Sequence, residues 1–303
     1  MSSDTFKKIA FLGIGNMGWP MAARLVAAGF RVSVYDVTPE RATRFAADVG
    51  GEAAQTLEQA ADSADAVITM LPTSKHVVDV VTPVRAVLAS HALLIDMTSG
   101  IPSMTQALAA SLESDGIMMI DAPVSGGVSR AKTGELAIMT GGSADALQRA
   151  MPLLRAMGTT ITEVGAIGAG QAMKALNNLV SAGGFLIGVE ALIIGSQFGL
   201  DAGKMVDVLN ASTGMNNSTQ KKFRQFVLSR AFNSNFGLDL MAKDLGIALE
   251  VAHDGGVAAP FSALCRELWA GAAKNLGQGR DHTEMARFSE TIAGLTLSEQ
   301  GSS

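Results

Sequence analysis

The stretch FLGIGNMGWP, Phe11 to Pro20, places Gly13, Gly15 and Gly18 within ten residues. Glycine loses more backbone freedom on folding than any other residue, so a cluster of three needs a compensating use. The flanking sequence supplies one. KIAFLGIG reads as a buried strand and GWPMAARLVAAG as a helix that ends at Gly29. A GxGxxG pattern between a strand and a helix is the signature of a dinucleotide cradle. Gly13 permits the tight turn, Gly15 leaves room for a pyrophosphate, and Gly18 lets the helix pack closely on the strand. The backbone N–H groups around Asn16 and Met17 then meet the phosphates at the positive end of the helix dipole.

An acid is expected at the end of the next strand. RVSVYD ends in Asp36, which can accept hydrogen bonds from an adenine-ribose 2′-hydroxyl and repel a 2′-phosphate. That favours NAD over NADP. Arg41 and Arg44 lie on the following helix and are read as solvated charges. MLPTS (Met70 to Ser74) and DMTSG (Asp96 to Gly100) fall at strand ends, where ligands bind in doubly wound sheets. Leu71, Pro72 and Thr98 are therefore candidate cofactor contacts.

The remaining pattern extends this reading. Strand and helix signals alternate as far as TTITEVG, which implies a mainly parallel sheet covered by helices on both faces. Beyond Gly170 strand signals nearly stop, and QAMKALNNLVSAGGFLIGVEALIIGSQFG is one long helical pattern. The expected organisation is α/β: a doubly wound N-terminal domain over 1–164 and an all-α domain over 165–303, joined by that helix. Glu190 near its middle, two Asn at its start and several small residues favour a helix buried in protein over a membrane span.

Bulk composition narrows the function. The chain has 303 residues, a formal net charge of -5 and no long basic run, which disfavours nucleic acid as a partner. Its single cysteine, Cys265, rules out an intramolecular disulfide and suits a reducing cytoplasm. Lys7 and Lys8 precede an apolar run, but glycines and an asparagine interrupt it, so it reads as mature protein and not as a targeting segment. His76, His91, His253 and His282 are dispersed without metal-ligand spacing, and no GxSxG elbow follows a strand.

Three further segments make the reading specific: DAPVSGG (Asp121 to Gly127), GAIGAGQAMKALNN (Gly165 to Asn178) and MAKDLGIAL (Met241 to Leu249). Together with GIGNMGWPMAARL, and in this order, they resemble the β-hydroxyacid dehydrogenase family. Its members include 3-hydroxyisobutyrate dehydrogenase, tartronate semialdehyde reductase and, more distantly, 6-phosphogluconate dehydrogenase. The resemblance covers almost the whole chain. It implies a Rossmann domain, a helical domain and a homodimer or homotetramer.

By similarity, Lys174 is the catalytic residue, holding the substrate hydroxyl and exchanging its proton during hydride transfer. An amine serves in that role when burial or a nearby cation brings its pKa towards neutrality. Asn178 lies four residues on, hence on the same helix face, and by similarity binds substrate and orients Lys174. Ser125, Gly126 and Gly127 offer a hydroxyl and successive N–H donors to the substrate carboxylate. Lys243 resembles the family lysine that approaches the cofactor, with Asp244 beside it.

The implied activity is NAD-dependent hydride transfer on a small 3-hydroxy acid such as 3-hydroxyisobutyrate. The alternatives are a reductase of tartronate or succinic semialdehyde and, from another class, a non-catalytic dinucleotide-binding sensor. Departures from the family pattern include Arg130 after SGG, read as a surface charge, the DMTSG turn, and STGMNNSTQKKF (Ser212 to Phe223) without a tryptophan. These bear on the substrate and leave the redox machinery intact.

Overall fold

A computed structural model describes residues 6–89 and 91–298. By contacts it divides into two compact units, Met1–Lys174 and Ala175–Ser303. The first unit begins β1 (Ile9–Leu12), α1 (Gly18–Ala27), β2 (Val32–Tyr35), α2 (Pro39–Asp48), β3 (Glu52–Ala53), α3 (Leu57–Ala61), β4 (Ala66–Thr69), α4 (Ser74–Val84) and β5 (Leu93–Asp96). It continues α5 (Pro102–Glu113), β6 (Met118–Asp121), β7 (Val124–Ser125), α6 (Gly127–Thr133), β8 (Leu136–Gly141), α7 (Ala144–Met157) and β9 (Gly158–Gly165). Helix α8 (Ala169–Phe198) then carries the chain into the second unit, which adds α9 (Ala202–Asn210), α10 (Asn217–Lys221), α11 (Leu238–Asp254), α12 (Pro260–Leu276) and α13 (Met285–Ala293).

The strands form one sheet in the order β3-β2-β1-β4-β5-β6-β8-β7, with β9 on β8. Pairing is parallel from β3 through β6, in the register Leu12 with Tyr35 and Thr69. It turns antiparallel where β8 meets β6 and β7, a mixed edge that the run of strand signals does not disclose. Alternate side chains of the parallel strands enter opposite cores. Ile9, Phe11, Val34, Ile68 and Ile95 face one; Ala10, Leu12, Val67 and Leu94 face the other. A sheet buried on both faces requires such nearly continuous apolar strands. Strand order reverses between β1 and β4, and the carboxyl ends of strands beside such a reversal form the usual ligand crevice.

The second unit packs Phe185, Val189 and Leu192 of α8 around Trp269 and Phe223. By length and composition α8 is long and apolar enough to cross a membrane, and 44% of its most apolar window is buried within the fold. The first unit extends ten residues past the 164/165 division drawn from sequence. The reason is local: the first turn of α8 is hydrogen-bonded to the sheet through Asp121 and Asp96.

Candidate active site

The glycine cradle follows directly from β1. Gly13 has φ +94° and donates its N–H to Tyr35 O at 2.9 Å, joining the turn to β2. A Cβ there would sit 2.5 Å from Met70 O. At Gly18 it would sit 2.0 Å from Gly13 O, so α1 starts against the turn itself. Around Gly15 nothing lies within 4 Å of the Cβ position. Gly15 and Asn16 line a cavity of about 510 Å³ with Ile14, Trp19, Glu40, Arg41, Arg44 and Lys132, a lining that stays net positive. Met17 stands at the N-cap of α1 and packs against the core. An open backbone, a helix start and three cations fit a dinucleotide phosphate.

Asp36 is buried and ties this loop together. Its Oδ2 accepts from Ile14 N at 3.0 Å, and its Oδ1 accepts from Thr38 N at 3.0 Å and from Arg41 Nη1 at 2.8 Å. The ion pair corrects the expectation that Arg41 is simply solvated: its guanidinium partly neutralises the acid that was to repel a 2′-phosphate. A carboxylate offers about four acceptor positions, so one remains on Oδ2 for a ribose hydroxyl. Thr38 occupies the N-cap of α2, but its side chain makes no capping bond.

At the other strand ends, Thr98 is fully buried and its Oγ1 accepts from Leu71 N at 3.1 Å, which brings those two residues together. Pro72, next to Leu71, is exposed. Ser125 closes β7 opposite Ala137, and Gly126 and Gly127 follow with φ +131° and +68°. Arg130 is exposed, and its stem lies over Gly126, where a Cβ would come within 2.7 Å of its Cδ.

Lys174 stands on α8 and is 8% exposed. In the second unit, Asn178 is likewise buried and donates through Nδ2 to Asp244 Oδ2 at 2.5 Å. Asp244 also meets Lys243 Nζ at 3.2 Å through Oδ1. One buried carboxylate thus holds both the asparagine and the lysine picked out from sequence. The MAKD spacing discloses the lysine contact; the asparagine contact spans 66 residues and leaves no local mark.

Sequence reasoning gave no role to Asp96, Asp121 and Gln171, which are all buried. Burial pushes the Asp121 carboxyl up to about 6, against hydrogen bonds from the Gly168 and Gln171 amides; the neighbouring Asp96 charge raises it further. Burial also raises Asp96, opposed by bonds from Thr98, Thr69 and Gln171. In the folded state Asp121 therefore keeps a proton that the unfolded chain loses near 3.8. Its contribution to stability is full below about 3.8 and is lost as pH rises through about 6. A carboxyl carbon-13 titration should place Asp121 near 6, and an ordinary aspartate midpoint would contradict this environment.

Comparison with known proteins identifies the family. Residues 8–165 match the NAD binding domain of 6-phosphogluconate dehydrogenase, and residues 168–289 match the NAD-binding region of NADP-dependent 3-hydroxyisobutyrate dehydrogenase. The chain belongs to the β-hydroxyacid dehydrogenase family. Among its relatives are the 3-hydroxyisobutyrate dehydrogenase of Pseudomonas aeruginosa, 38% identical over 86% of this chain and 91% of that protein, and the 2-(hydroxymethyl)glutarate dehydrogenase of Eubacterium barkeri, 33% identical over 96% and 97%. The structure of Mycobacterium tuberculosis 3-hydroxyisobutyrate dehydrogenase with L-serine superimposes with a TM-score of 0.86 at 35% identity, covering 93% of this chain and 99% of that one. The family shares the Rossmann-like N-terminal domain and helical C-terminal region seen here. Like its relatives, the chain is an oxidoreductase acting on CH–OH, and it carries NAD(P)-binding domains.

Proposed function

We propose that this dehydrogenase oxidises small acids of the form HOCH2–CHR–COO⁻, with NAD as its preferred cofactor, in a cytoplasmic setting. The substrates named for the relatives support the class. 3-Hydroxyisobutyrate, L-serine (the substrate named for a Pseudomonas aeruginosa relative 34% identical over 95% of this chain) and 2-(hydroxymethyl)glutarate share that skeleton and differ only in R. The observation that carries the reading is a buried lysine, Lys174, on the helix whose first turn is bonded to the carboxyl ends of β5 and β6, in the sheet whose β1 leads into the glycine cradle.

When bound, the nicotinamide supplies the hydride chemistry. Gly13, Gly15, Asn16, Met17 and Gly18 hold the diphosphate, Asp36 the ribose, and Leu71, Pro72 and Thr98 the nicotinamide side, with Lys243 a further cofactor contact. The residues of this chain then handle the proton and the orientation. Lys174 takes the hydroxyl proton in oxidation and returns it in reduction. Asn178 orients the hydroxyl, and Ser125 with the amides of Gly126 and Gly127 receives the carboxylate.

Initial rates with 3-hydroxyisobutyrate, both serine enantiomers, 2-(hydroxymethyl)glutarate and 4-hydroxybutyrate test the reading. Turnover should be confined to the first four or a subset of them. A preference for 4-hydroxybutyrate would overturn the substrate class. Because Arg41 offsets the Asp36 charge, discrimination against NADP should be modest. Arg41→Ala should raise the NAD to NADP ratio of kcat/KM about tenfold, the effect of roughly 1.4 kcal/mol; an unchanged ratio would place Arg41 outside cofactor selection.

Self-association through α8 is also part of this proposal. Val180, Ile187 and Ile194 are 76%, 58% and 70% exposed and recur at seven-residue intervals, forming one apolar row. Sedimentation should show a dimer or tetramer, and Ile187→Asp should shift it towards monomer. A wild-type chain that sediments as a monomer would remove this part.

A further inference from the structure

Two buried carboxylates and a buried amide meet where α8 leaves the sheet. Asp121, at the end of β6, accepts from Gly168 N through Oδ1 and from Gln171 N through Oδ2, both at 2.7 Å. It thereby takes up two amides that the start of a helix leaves without intrahelical partners. The helix is drawn in tightly, since a Cβ at Gly170 would lie 2.8 Å from Asp121 Oδ2. The side chain of Gln171 then reaches the neighbouring strand. Its Nε2 donates to Asp96 Oδ2 at 2.9 Å and to Thr98 O at 3.4 Å, and its Oε1 accepts from Thr105 Oγ1 at 2.7 Å. Asp96 Oδ1 in turn accepts from Thr69 Oγ1 at 2.8 Å and Thr98 N at 3.0 Å.

This network has two ends. One is the turn of Leu71 and Thr98, joined by the bond from Leu71 N to Thr98 Oγ1. The other is the first turn of α8, with Lys174 three residues beyond Gln171, a rise of roughly 4.5 Å along the helix. We infer that Gln171, anchored by Asp121 and Asp96, is a positioning residue that sets the height and rotation of Lys174 relative to the Leu71–Thr98 edge. The inference rests on the proposed proton-transfer role of Lys174 and deepens it. An apolar contact could anchor a helix start without burying two carboxylates, which is costly even when they are bonded. What an apolar contact lacks is direction. Four directional bonds from one residue fix both the rotation of α8 and its distance from β5, and proton transfer is sensitive to displacements of about 1 Å.

The test measures the lysine itself in the full-length protein. Trace acetylation with acetic anhydride, resolved by mass spectrometry, reports the reactivity of Lys174 against Lys75, an exposed reference on α4. In Gln171→Met, which keeps the side-chain length and loses its hydrogen bonds, the Lys174 to Lys75 ratio should change at least threefold. The Kd for NADH should stay within threefold of wild type. Thr105→Val removes one bond to Gln171 and should move the ratio in the same direction by a smaller factor; it decides the matter alone if Gln171→Met does not fold. With 3-hydroxyisobutyrate, kcat should fall with the reactivity change while the KM for NAD holds. An unchanged labelling ratio in the folded variants overturns the inference. Near-normal turnover by Lys174→Ala would instead sink the role of Lys174 while leaving the labelling result standing.

Discussion

Lys174→Ala should lower kcat by about 10² to 10⁴, the range over which a positioned acid–base group contributes. The Kd for NADH should stay within threefold. Cofactor binding and proton transfer fall to different residues. Binding the dinucleotide rests, in the proposal, on the glycine turn and on Asp36, which hydrogen-bonds Ile14 and Thr38 and pairs with Arg41. Lys174 lies far along the chain on α8 and enters only when the hydroxyl proton must move. The loss should appear in kcat and in kcat/KM alike, because an interaction needed in the transition state is being removed. Exogenous small amines should restore part of the rate if the lost group is a proton acceptor. Near-normal turnover in the variant would assign the proton to another residue; lost NADH binding would show that the substitution disturbs the cradle.

The second large effect comes from a contrast within the cradle. Gly15→Ala should weaken NADH binding at least tenfold while leaving the urea midpoint nearly unchanged. Gly18→Ala should lower both. At Gly15 a methyl group meets nothing within 4 Å, so the fold does not register it, but under the proposed function it fills the space for the pyrophosphate. At Gly18 the methyl would lie 2.0 Å from the backbone carbonyl of Gly13 and 3.2 Å from Phe11 Cε1. Backbone cannot swing away as a flexible side chain can, so α1 must move off β1. Overpacking of this kind costs about 1 to 3 kcal/mol. Equilibrium unfolding and NADH fluorescence titration measure both quantities on the same samples. Wild-type NADH affinity in Gly15→Ala would mean that the dinucleotide does not cross this turn.

Much of the architecture can be read from short windows. The strands IAFL, VSVY, AVIT and LLID are mostly apolar because the sheet is covered on both faces. The mixed edge escaped because β7 has two residues, too few to show a period. Helix α6 escaped too: GVSRAKT follows glycines and ends at Gly134 after seven residues. For the site, the four-residue spacing of Lys174 and Asn178 on an otherwise apolar helix marks them as a pair, while their roles and that of the SGG turn come through likeness to a family. Arg41 was read from its place on an outward helix. Its side chain bends back five residues to Asp36, a choice made by charge and reach that periodicity does not report.

The glycine turn, the alternation of strand and helix and the long helix are legible in the amino-acid sequence alone. These depend on residues within a few positions of one another, where backbone sterics and hydrophobic period act. Which polar groups share a bond depends on how the folded chain brings distant segments together. Asp121 reaches Gly168 and Gln171 across 47 and 50 residues, and Gln171 reaches Asp96 across 75. Such partners become neighbours when parallel strands bring their carboxyl ends to one edge. Once buried there, each must find a donor or acceptor, because water no longer supplies one.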